Sequence, residues 1–278
     1  MAHPHHPDAE KSTADAARPV ALVTGAARRI GRVIALELAQ AGFDIALHHR
    51  ASDAASLADA ADAAAEQRAA GATVHVFPAD FADPAATAAL LPAVAQAFGR
   101  VDAVVNSASR FEYDSPATFD AALLESLTRS NTAAPIVLAQ AFAAQVGAQA
   151  RHARVSPCVV NLLDQKLHNP NPDYFSYTLT KAALAHATVL LAQALAPAVR
   201  VCGVSPGITL VSGPMDEDEF AKAHRLTALG RSSTPEDIAR AVRFLLESPA
   251  ITGIDLAVDG GQHLVGQSRD VLFLAQQS

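Results

Sequence analysis

A tyrosine and a lysine four positions apart, Tyr177 and Lys181, are the residues of this sequence best suited to proton transfer. At positions i and i+4 of a helix, the two side chains lie on the same face. An ammonium group beside a phenol stabilises the tyrosinate, so we expect Lys181 to lower the pKa of Tyr177 and make it a proton donor or acceptor near neutral pH. Because the same spacing also arises by chance on surface helices, the pair needs support from its surroundings.

A glycine-bearing turn near the start of the chain could bind phosphate. Gly25 ends an apolar run, and Gly31 opens a helical stretch. Gly25 permits a tight turn and Gly31 permits close packing of helix on strand, so N–H groups at the helix start can hold a pyrophosphate. Arg29 stands where the usual dinucleotide fingerprint has its middle glycine, with Arg28 and Ile30 on either side. Its guanidinium would lie beside the phosphates or reach a bound ligand. Glycines also occur in strand–helix turns for steric reasons alone, so a phosphate site is not the only interpretation of this turn.

The end of the second predicted strand bears on which dinucleotide would bind. NAD sites normally place Asp or Glu there, on the ribose hydroxyls. This sequence instead has the basic and hydroxyl residues His49, Arg50 and Ser52, which favour the 2′-phosphate of NADP; the other interpretation is a solvated basic loop. Asp80 and Phe81 follow the third strand. Asp80 either bonds the adenine amino group or caps a turn.

These residues belong to a chain in which short apolar runs alternate with longer helical stretches. Nearly continuous apolar strands in such an alternation predict buried parallel strands joined by right-handed crossovers. The predicted strands are Arg18–Thr24, Asp44–His49, Thr73–Pro78, Val101–Asn106, Val155–Leu163, Val199–Ser205 and Gly253–Val258. The predicted helices are Arg29–Ala41, Asp53–Ala70, Pro84–Phe98, Phe119–Asn131 continuing to Val146, Tyr177–Leu195 and Pro235–Leu246. We therefore predict an α/β, Rossmann-type, doubly wound parallel sheet of about seven strands, forming a single domain over residues 18–278 after a flexible tail, residues 1–17.

Composition excludes several other classes of protein. Of the 278 residues, 50% are hydrophobic and 18% charged, so the chain can form a large core and is not globally disordered. A net charge of −7 argues against nucleic acid and anionic membranes as partners. Two cysteines, Cys158 and Cys202, cannot form a disulfide framework and fit a reducing, cytoplasmic location. We expect no transmembrane helix, no signal peptide and no metal site, since His3, His5 and His6 would bind a metal only adventitiously.

Taken together, the motifs resemble those of the short-chain dehydrogenase/reductase family over about residues 18–264. The matching stretches are Thr24–Gly31, Asn106–Ala108, Asn131, Tyr177–Lys181, Ser205–Gly207 and Val258–Gly261. The resemblance implies that Tyr177 is the proton donor and that Lys181 orients the nicotinamide ribose. Asn131 would hold a helix kink and a water of the proton relay. The cofactor would also contact Asn106, Ser107, Ala108, Pro206 and Gly207.

Where the sequence departs from the general family pattern, it resembles the pteridine reductase branch of that family. Asp164 replaces the usual serine, 13 residues before Tyr177, and the glycine turn carries an Arg-Arg pair. In that branch an aromatic residue stacks on the pterin; Phe111, close to Ser109, is the candidate here, unless it is an ordinary loop hydrophobe. The resemblance implies NADPH-dependent reduction of a C=N bond in a dihydropteridine, dihydromonapterin or dihydrofolate. Residues that would contact that substrate are Arg29, Ser109, Phe111, Asp164 and Tyr177. Asp164 would also assist Tyr177 in supplying protons.

Two other functions stay open. A short-chain carbonyl reductase acting on a ketone, such as a 3-oxoacyl thioester, would share the scaffold but use a serine in place of Asp164. A non-catalytic NADP-binding protein would keep the fold without turnover. The family resemblance also implies a homotetramer built through Phe119–Val146 and Tyr177–Leu195. We expect residues 210–230 to form a lid and Val271–Leu274 to pack on a neighbouring subunit.

Overall fold

The computed structural model describes residues 17–50, 53–211 and 215–276. Ser52, predicted at the cofactor, and the histidines at positions 3, 5 and 6 lie outside these residues. Among the helices that are described, none is both long and apolar enough to cross a membrane.

Seven strands of the described chain form one parallel sheet, which confirms the predicted fold class. They are β1 (Val20–Val23), β2 (Asp44–His49), β3 (Val74–Pro78), β4 (Ala103–Asn106), β5 (Cys158–Leu162), β6 (Arg200–Pro206) and β7 (Asp255–Val258). Their order across the sheet is β3-β2-β1-β4-β5-β6-β7. The order reverses between β1 and β4, and in open parallel sheets ligands bind at such a point, outside the carboxyl ends of the strands.

Helices cover both faces of this sheet. Those of the described chain are α1 (Arg29–Gln40), α2 (Ala54–Ala69), α3 (Pro84–Phe98), α4 (Ala121–Thr128), α5 (Ala134–Val146), α6 (Phe175–Leu195), α7 (Glu217–Arg225), α8 (Pro235–Glu247) and α9 (Val271–Ala275). On one face α1, α2 and α8 enclose a core that contains Ile34, Leu38 and Val242. On the other face α3, α5 and α6 enclose a second core around Leu91 and Phe142.

Several helices begin directly after residues whose side chains cap them. The Asp53 carboxylate accepts a hydrogen bond from the Ser56 N–H at 2.7 Å, and Asp83 accepts one from the Ala85 N–H at 2.8 Å. These bonds satisfy N–H groups that have no partner within the helix, which is why helices start readily at such residues. The caps fix the starts of α2 and α3, the helices that follow β2 and β3.

The structure differs from the prediction at one place that matters for the site and adds a contact at another. The continuous helix expected from Phe119 to Val146 is divided by a π-helical stretch, Arg129–Ala133, between α4 and α5. The apolar run Val271–Leu274 lies in α9 and packs on α7 of its own chain, and its packing on a neighbouring subunit stays a prediction. Sequence periodicity identifies the run as apolar but carries no information on which surface covers it.

Candidate active site

A cleft of about 690 Å³ opens at the carboxyl ends of the strands and gathers most of the predicted site residues. Its lining includes Gly25, Arg28, Arg29, Ile30, Gly31, Arg50, Asp80, Phe81, Ser107, Ala108, Ser109, Phe111, Asp164, Tyr177, Lys181, Pro206 and Gly207. Residues of this list follow β1, β2, β3, β4, β5 and β6, so the parallel sheet is what brings them together. Three predicted residues, His49, Asn106 and Asn131, do not line the cleft.

The turn after β1 has the shape that a phosphate-binding turn requires. Gly25 has a φ of +66°, in the left-handed region that favours glycine. A Cβ on Gly31 would lie 2.3 Å from the Gly25 carbonyl oxygen, so only glycine lets the start of α1 approach the turn this closely. The N-cap residue Arg28 makes no side-chain hydrogen bond to the helix, so the positive end of α1 is suited to an anionic ligand. This turn fits the pyrophosphate of a dinucleotide.

Arg29 adopts the backbone conformation of the glycine that it replaces. Its φ is +53°, which costs a residue with a side chain roughly 1–2 kcal/mol. The side chain lines the cleft, and its guanidinium donates to the Val211 carbonyl at 3.0 Å. The structure therefore places a cation at the border between the glycine turn and the segment that precedes α7.

The two histidines at the end of β2 play different parts, because successive strand residues point to opposite faces. His48 lines the cleft: its Nδ1 accepts the Gly25 N–H at 3.1 Å, and its Nε2 lies 3.1 Å from the Ala79 carbonyl. It also stacks on Phe81, with ring centroids 4.4 Å apart. Burial lowers the pKa of His48 to about 4, so this ring is neutral and supports the turn.

His49, the histidine predicted at the cofactor, is buried with its Nδ1 3.5 Å from the Ser56 hydroxyl. Desolvation lowers its pKa. Of the basic residues predicted at the end of β2, Arg50 lines the cleft. Asp80, left open between two roles, accepts the Ala82 N–H at 2.9 Å as a turn cap while also lining the cleft.

The predicted proton-transfer residues meet at the carboxyl end of β5. The Tyr177 hydroxyl donates to Asp164 Oδ2 at 2.9 Å, and the other carboxylate oxygen accepts the Lys166 N–H at 2.9 Å. Lys181 lies one turn along α6, with its Nζ 5.7 Å from the centre of the Tyr177 ring. The Lys181 ammonium donates to the Leu162 carbonyl at 2.7 Å. The site thus joins a phenol, a carboxyl group and an ammonium.

The expectation that Lys181 lowers the pKa of Tyr177 is wrong. Burial, followed by the negative charge of Asp164, raises the pKa of Tyr177 well above its usual value. Desolvation also raises the pKa of Asp164 and lowers that of Lys181 to about 8. The phenol has the carboxylate as its hydrogen-bond partner, whereas the ammonium is held by a backbone carbonyl. Near neutral pH, Tyr177 is therefore a protonated group suited to donating a proton.

Asn131 lies in the π-helical stretch and fixes a loop. Its side chain accepts the Arg110 N–H at 2.8 Å and donates to the Arg110 carbonyl at 2.9 Å and the Thr180 hydroxyl at 3.1 Å. These bonds hold the loop after β4 against α6, the helix that carries Tyr177. Asn106, at the end of β4, is also buried and donates to the Asn161 side chain at 2.8 Å. Both asparagines support the cleft from behind its lining.

The aromatic wall of the cleft contains one residue that the sequence did not single out. Phe111 stacks on Tyr174, with centroids 4.1 Å apart and planes 18° from parallel, and meets the Tyr177 ring edge-on at 4.7 Å. Tyr174 is buried in a left-handed conformation, φ +51°. Phe111 keeps 43% of its surface exposed, so it can still take part in stacking. No local sequence signal marks Tyr174, since its position depends on the loop before α6.

Charged residues that the sequence did not predict also line the cleft. Lys166 and Asp270 form an ion pair at 3.1 Å between the loop after β5 and the segment before α9. The two residues are 104 positions apart, so only the tertiary structure shows their proximity.

Comparisons with known proteins agree with this geometry. The chain is 33% identical to pteridine reductase 1 of Leishmania tarentolae, over 88% of this chain and 96% of that protein. It is 31% identical to the 3-oxoacyl-[acyl-carrier-protein] reductase FabG of Staphylococcus aureus, over 88% of this chain and 98% of that protein. The crystal structure of FolM alternative dihydrofolate reductase 1 from Brucella suis in complex with NADP is 35% identical, with a TM-score of 0.82, covering 92% of this chain and 99% of that one.

A family model also covers most of the chain. Residues 25–263 match the model described as enoyl-(acyl carrier protein) reductase, one of those for the short-chain dehydrogenases and reductases. The matched region runs from the glycine turn past β7 and so includes every strand end that forms the cleft. The chain belongs to the short-chain dehydrogenase/reductase family of oxidoreductases.

Proposed function

We propose that this protein is an NADPH-dependent reductase of a C=N bond in a pterin-type substrate, such as a dihydropteridine, dihydromonapterin or dihydrofolate. Asp164, whose carboxyl group lies 2.9 Å from the Tyr177 hydroxyl in a cleft beside a phosphate-type turn, is the observation that carries the proposal. The relatives named pteridine reductase and FolM alternative dihydrofolate reductase support the same substrate class.

The half of the cleft that follows β1 and β2 would hold NADPH. Gly25 and Gly31 shape the turn for the pyrophosphate, and Arg50, with Arg28 nearby, supplies positive charge for the 2′-phosphate. Lys181 would bond the nicotinamide ribose, while Pro206 and Gly207 would line the nicotinamide. The FolM structure from Brucella suis is itself a complex with NADP. When bound, NADPH supplies a hydride to the substrate carbon.

The half that follows β4 and β5 would hold the pterin and supply the proton. Phe111 offers a partly exposed aromatic face on which a flat heterocycle can stack, worth about 1 kcal/mol. Tyr177 remains protonated because its pKa is raised, and it donates towards Asp164. When ionised, the Asp164 carboxyl group can accept from ring N–H and amino groups. Its raised pKa favours uptake of a proton, which it can pass to the ring nitrogen. Arg29 would contact the pterin oxo group or the phosphates.

Reduction of a ketone is the second candidate, because FabG of Staphylococcus aureus is a relative over nearly its whole length. A serine hydroxyl can donate to a ketone oxygen but does not relay protons near neutral pH, whereas the Asp164 carboxyl group can accept from ring N–H and amino groups or pass a proton. The presence of Asp164 therefore favours the heterocycle.

A substrate panel tests the proposal. Purified protein is incubated with NADPH, and its oxidation at about 340 nm is followed with dihydrobiopterin, dihydromonapterin, dihydrofolate and an acetoacetyl thioester, each at the same concentration. We expect a pterin or folate to have the highest kcat/KM. A higher value for the thioester would contradict the proposal, and tight NADPH binding without any turnover would point to a non-catalytic protein.

A further inference from the structure

Arg269 and Asp270, close to the C-terminus, bind the loop that lies between β5 and α6. The Arg269 guanidinium donates to both carboxylate oxygens of Asp173, at 2.7 and 2.8 Å, and the Asp270 N–H donates to the same carboxylate at 2.8 Å. From the other side, the Lys166 ammonium donates to the Asp173 carbonyl at 2.6 Å and to Asp270 Oδ2 at 3.1 Å. Charge-assisted hydrogen bonds of this kind are stronger than neutral ones, and the bidentate pair also fixes orientation.

Lys166 connects this network to the acid of the site. The side chain is buried, yet no step of the proposed proton transfer uses it. Its backbone N–H donates to Asp164 Oδ1, so the same residue bonds Asp164 through its main chain and Asp270 through its ammonium. The ammonium also lies 5.5 Å from the centre of the Tyr174 ring, within the range of a cation–π contact. Tyr174 directly follows Asp173 and holds Phe111 by stacking.

The residues that follow Arg269 form part of the cleft itself. Asp270, Val271 and Leu272 line it. Val271 and Leu272 are buried in one apolar cluster with Met215, which also lines the cleft. The C-terminal segment therefore joins the β5–α6 loop to α7.

We propose that residues 269–275 form a C-terminal latch that sets the substrate side of the active site. In this inference Lys166 and Arg269 are positioning residues: they hold Asp164 and Tyr174 in place through the bonds described above. Asp270 and Leu272 then limit which ring substituents the cleft admits. The last point rests on the proposed function, whereas the positioning of Tyr174 does not.

The tyrosines of the chain provide a direct readout of the latch. The protein has three tyrosines and no tryptophan. Tyr174 and Tyr177 both contact Phe111, and Tyr113 meets Tyr174 edge-on at 5.2 Å and Phe273 of α9 at 5.4 Å. Near-ultraviolet circular dichroism of the protein without NADPH, in the tyrosine band, therefore reports on this aromatic cluster alone.

The test compares Arg269→Met with Arg100→Met in the full chain. The second variant is a matched control, because Arg100 also makes a bidentate pair. Its partner is Asp102, at 2.8 and 2.7 Å, and the pair lies at the amino end of β4. We expect Arg269→Met to change the tyrosine band and to raise the KM for the pterin about tenfold, with the KM for NADPH within about twofold of wild type. Arg100→Met should leave the band and both KM values unchanged.

A second variant, Asp270→Asn, keeps the shape of the side chain but removes the charge that pairs with Lys166. Asp270→Asn should change the tyrosine band in the same direction as Arg269→Met. If Arg269→Met does not fold, the band of Asp270→Asn tests the latch in its place. An unchanged band in both variants, or an equal change in Arg100→Met, would overturn the latch. The tyrosine band is measured without substrate, so it tests the latch even if the protein reduces no pterin. A failure of the latch can therefore be distinguished from a failure of the proposed function.

Discussion

Buried charge is held in different ways by the Arg100–Asp102 pair at the amino ends of the strands, the amino edge, and by the Asp164–Lys181 site at their carboxyl ends, the carboxyl edge. At the amino edge, the Asp102 carboxylate is buried and fully matched: it accepts two hydrogen bonds from Arg100 and one from the Val20 N–H at 2.9 Å. At the carboxyl edge, Asp164 accepts from a phenol and a backbone N–H, and Lys181 donates to a backbone carbonyl. In these contacts, Asp164 and Lys181 are each held by neutral partners.

We therefore expect the Arg100–Asp102 pair to contribute to stability and the Asp164–Lys181 site to contribute to reactivity. An opposite charge nearby favours the ionised form of a buried group, whereas desolvation favours the neutral form of a group held only by neutral partners, at a cost in folding free energy. The pKa values of Asp164 and Tyr177 are raised and that of Lys181 is lowered to about 8. Shifts of this kind cluster at functional sites.

The largest expected effect comes from removing the phenol hydroxyl at the carboxyl edge. Tyr177→Phe keeps the ring against Phe111 but deletes the proton donor, so we expect kcat with a pterin to fall roughly 10²–10⁴-fold. Stopped-flow or steady-state NADPH oxidation measures this. A near-normal rate in a correctly folded variant would show that the proton comes from elsewhere.

Breaking the matched pair at the amino edge should affect stability alone. Arg100→Met leaves the buried Asp102 carboxylate without its cation, which we expect to lower the free energy of unfolding by about 3 kcal/mol. Chemical denaturation measures the loss, and kcat at a temperature far below unfolding serves as the control. An impaired kcat in this variant would contradict the expectation that the Arg100–Asp102 pair affects stability alone.

Lys181 should make stability depend on pH. Its pKa in the folded protein is about 8, below the ordinary 10.5, so between these values the unfolded chain binds the extra proton and stability rises with pH. Relative to Lys181→Met, the wild type should gain up to about 3 kcal/mol in free energy of unfolding between pH 8 and 10.5. Denaturant titrations of both proteins across this range test it. A constant difference would mean that the ammonium is not desolvated.

The smallest predicted effect concerns the backbone of the glycine turn. At Arg29, where φ is +53°, Gly should be more stable than Ala by about 1 kcal/mol. At the neighbouring Arg28, which has an extended backbone with φ −140°, Ala should be the more stable by about 0.5 kcal/mol. Thermal unfolding of the four variants gives both differences. The same order at both positions would contradict the strained conformation of Arg29.

The sequence predicted the sheet because strand–helix alternation depends on local apolar patterns, and the strand ends then placed most of the cleft. It did not distinguish His48 from His49, since strand alternation shows that they face apart but not which face the cleft occupies. It could not supply the raised pKa of Tyr177, which depends on burial and on Asp164. A homotetramer and a cytoplasmic location stay predictions.

The contact between the latch and Lys166 could not be predicted from the sequence, for a different reason. Lys166 and Asp270 have no spacing that links them, and α9 is a five-residue helix in a short apolar run. Contacts over such separations depend on how the C-terminal segment returns to the sheet edge, which local patterns do not encode.

The central claim, that the Asp164 carboxyl group serves a nitrogen heterocycle, is tested most directly by Asp164→Ser. We expect kcat/KM for the pterin substrate to fall at least about 10²-fold, while the affinity for NADPH, measured by fluorescence titration, stays within about twofold. A rate with pterin close to that of the wild type would contradict the account and leave a reductase in which the carboxyl group has no part in the chemistry.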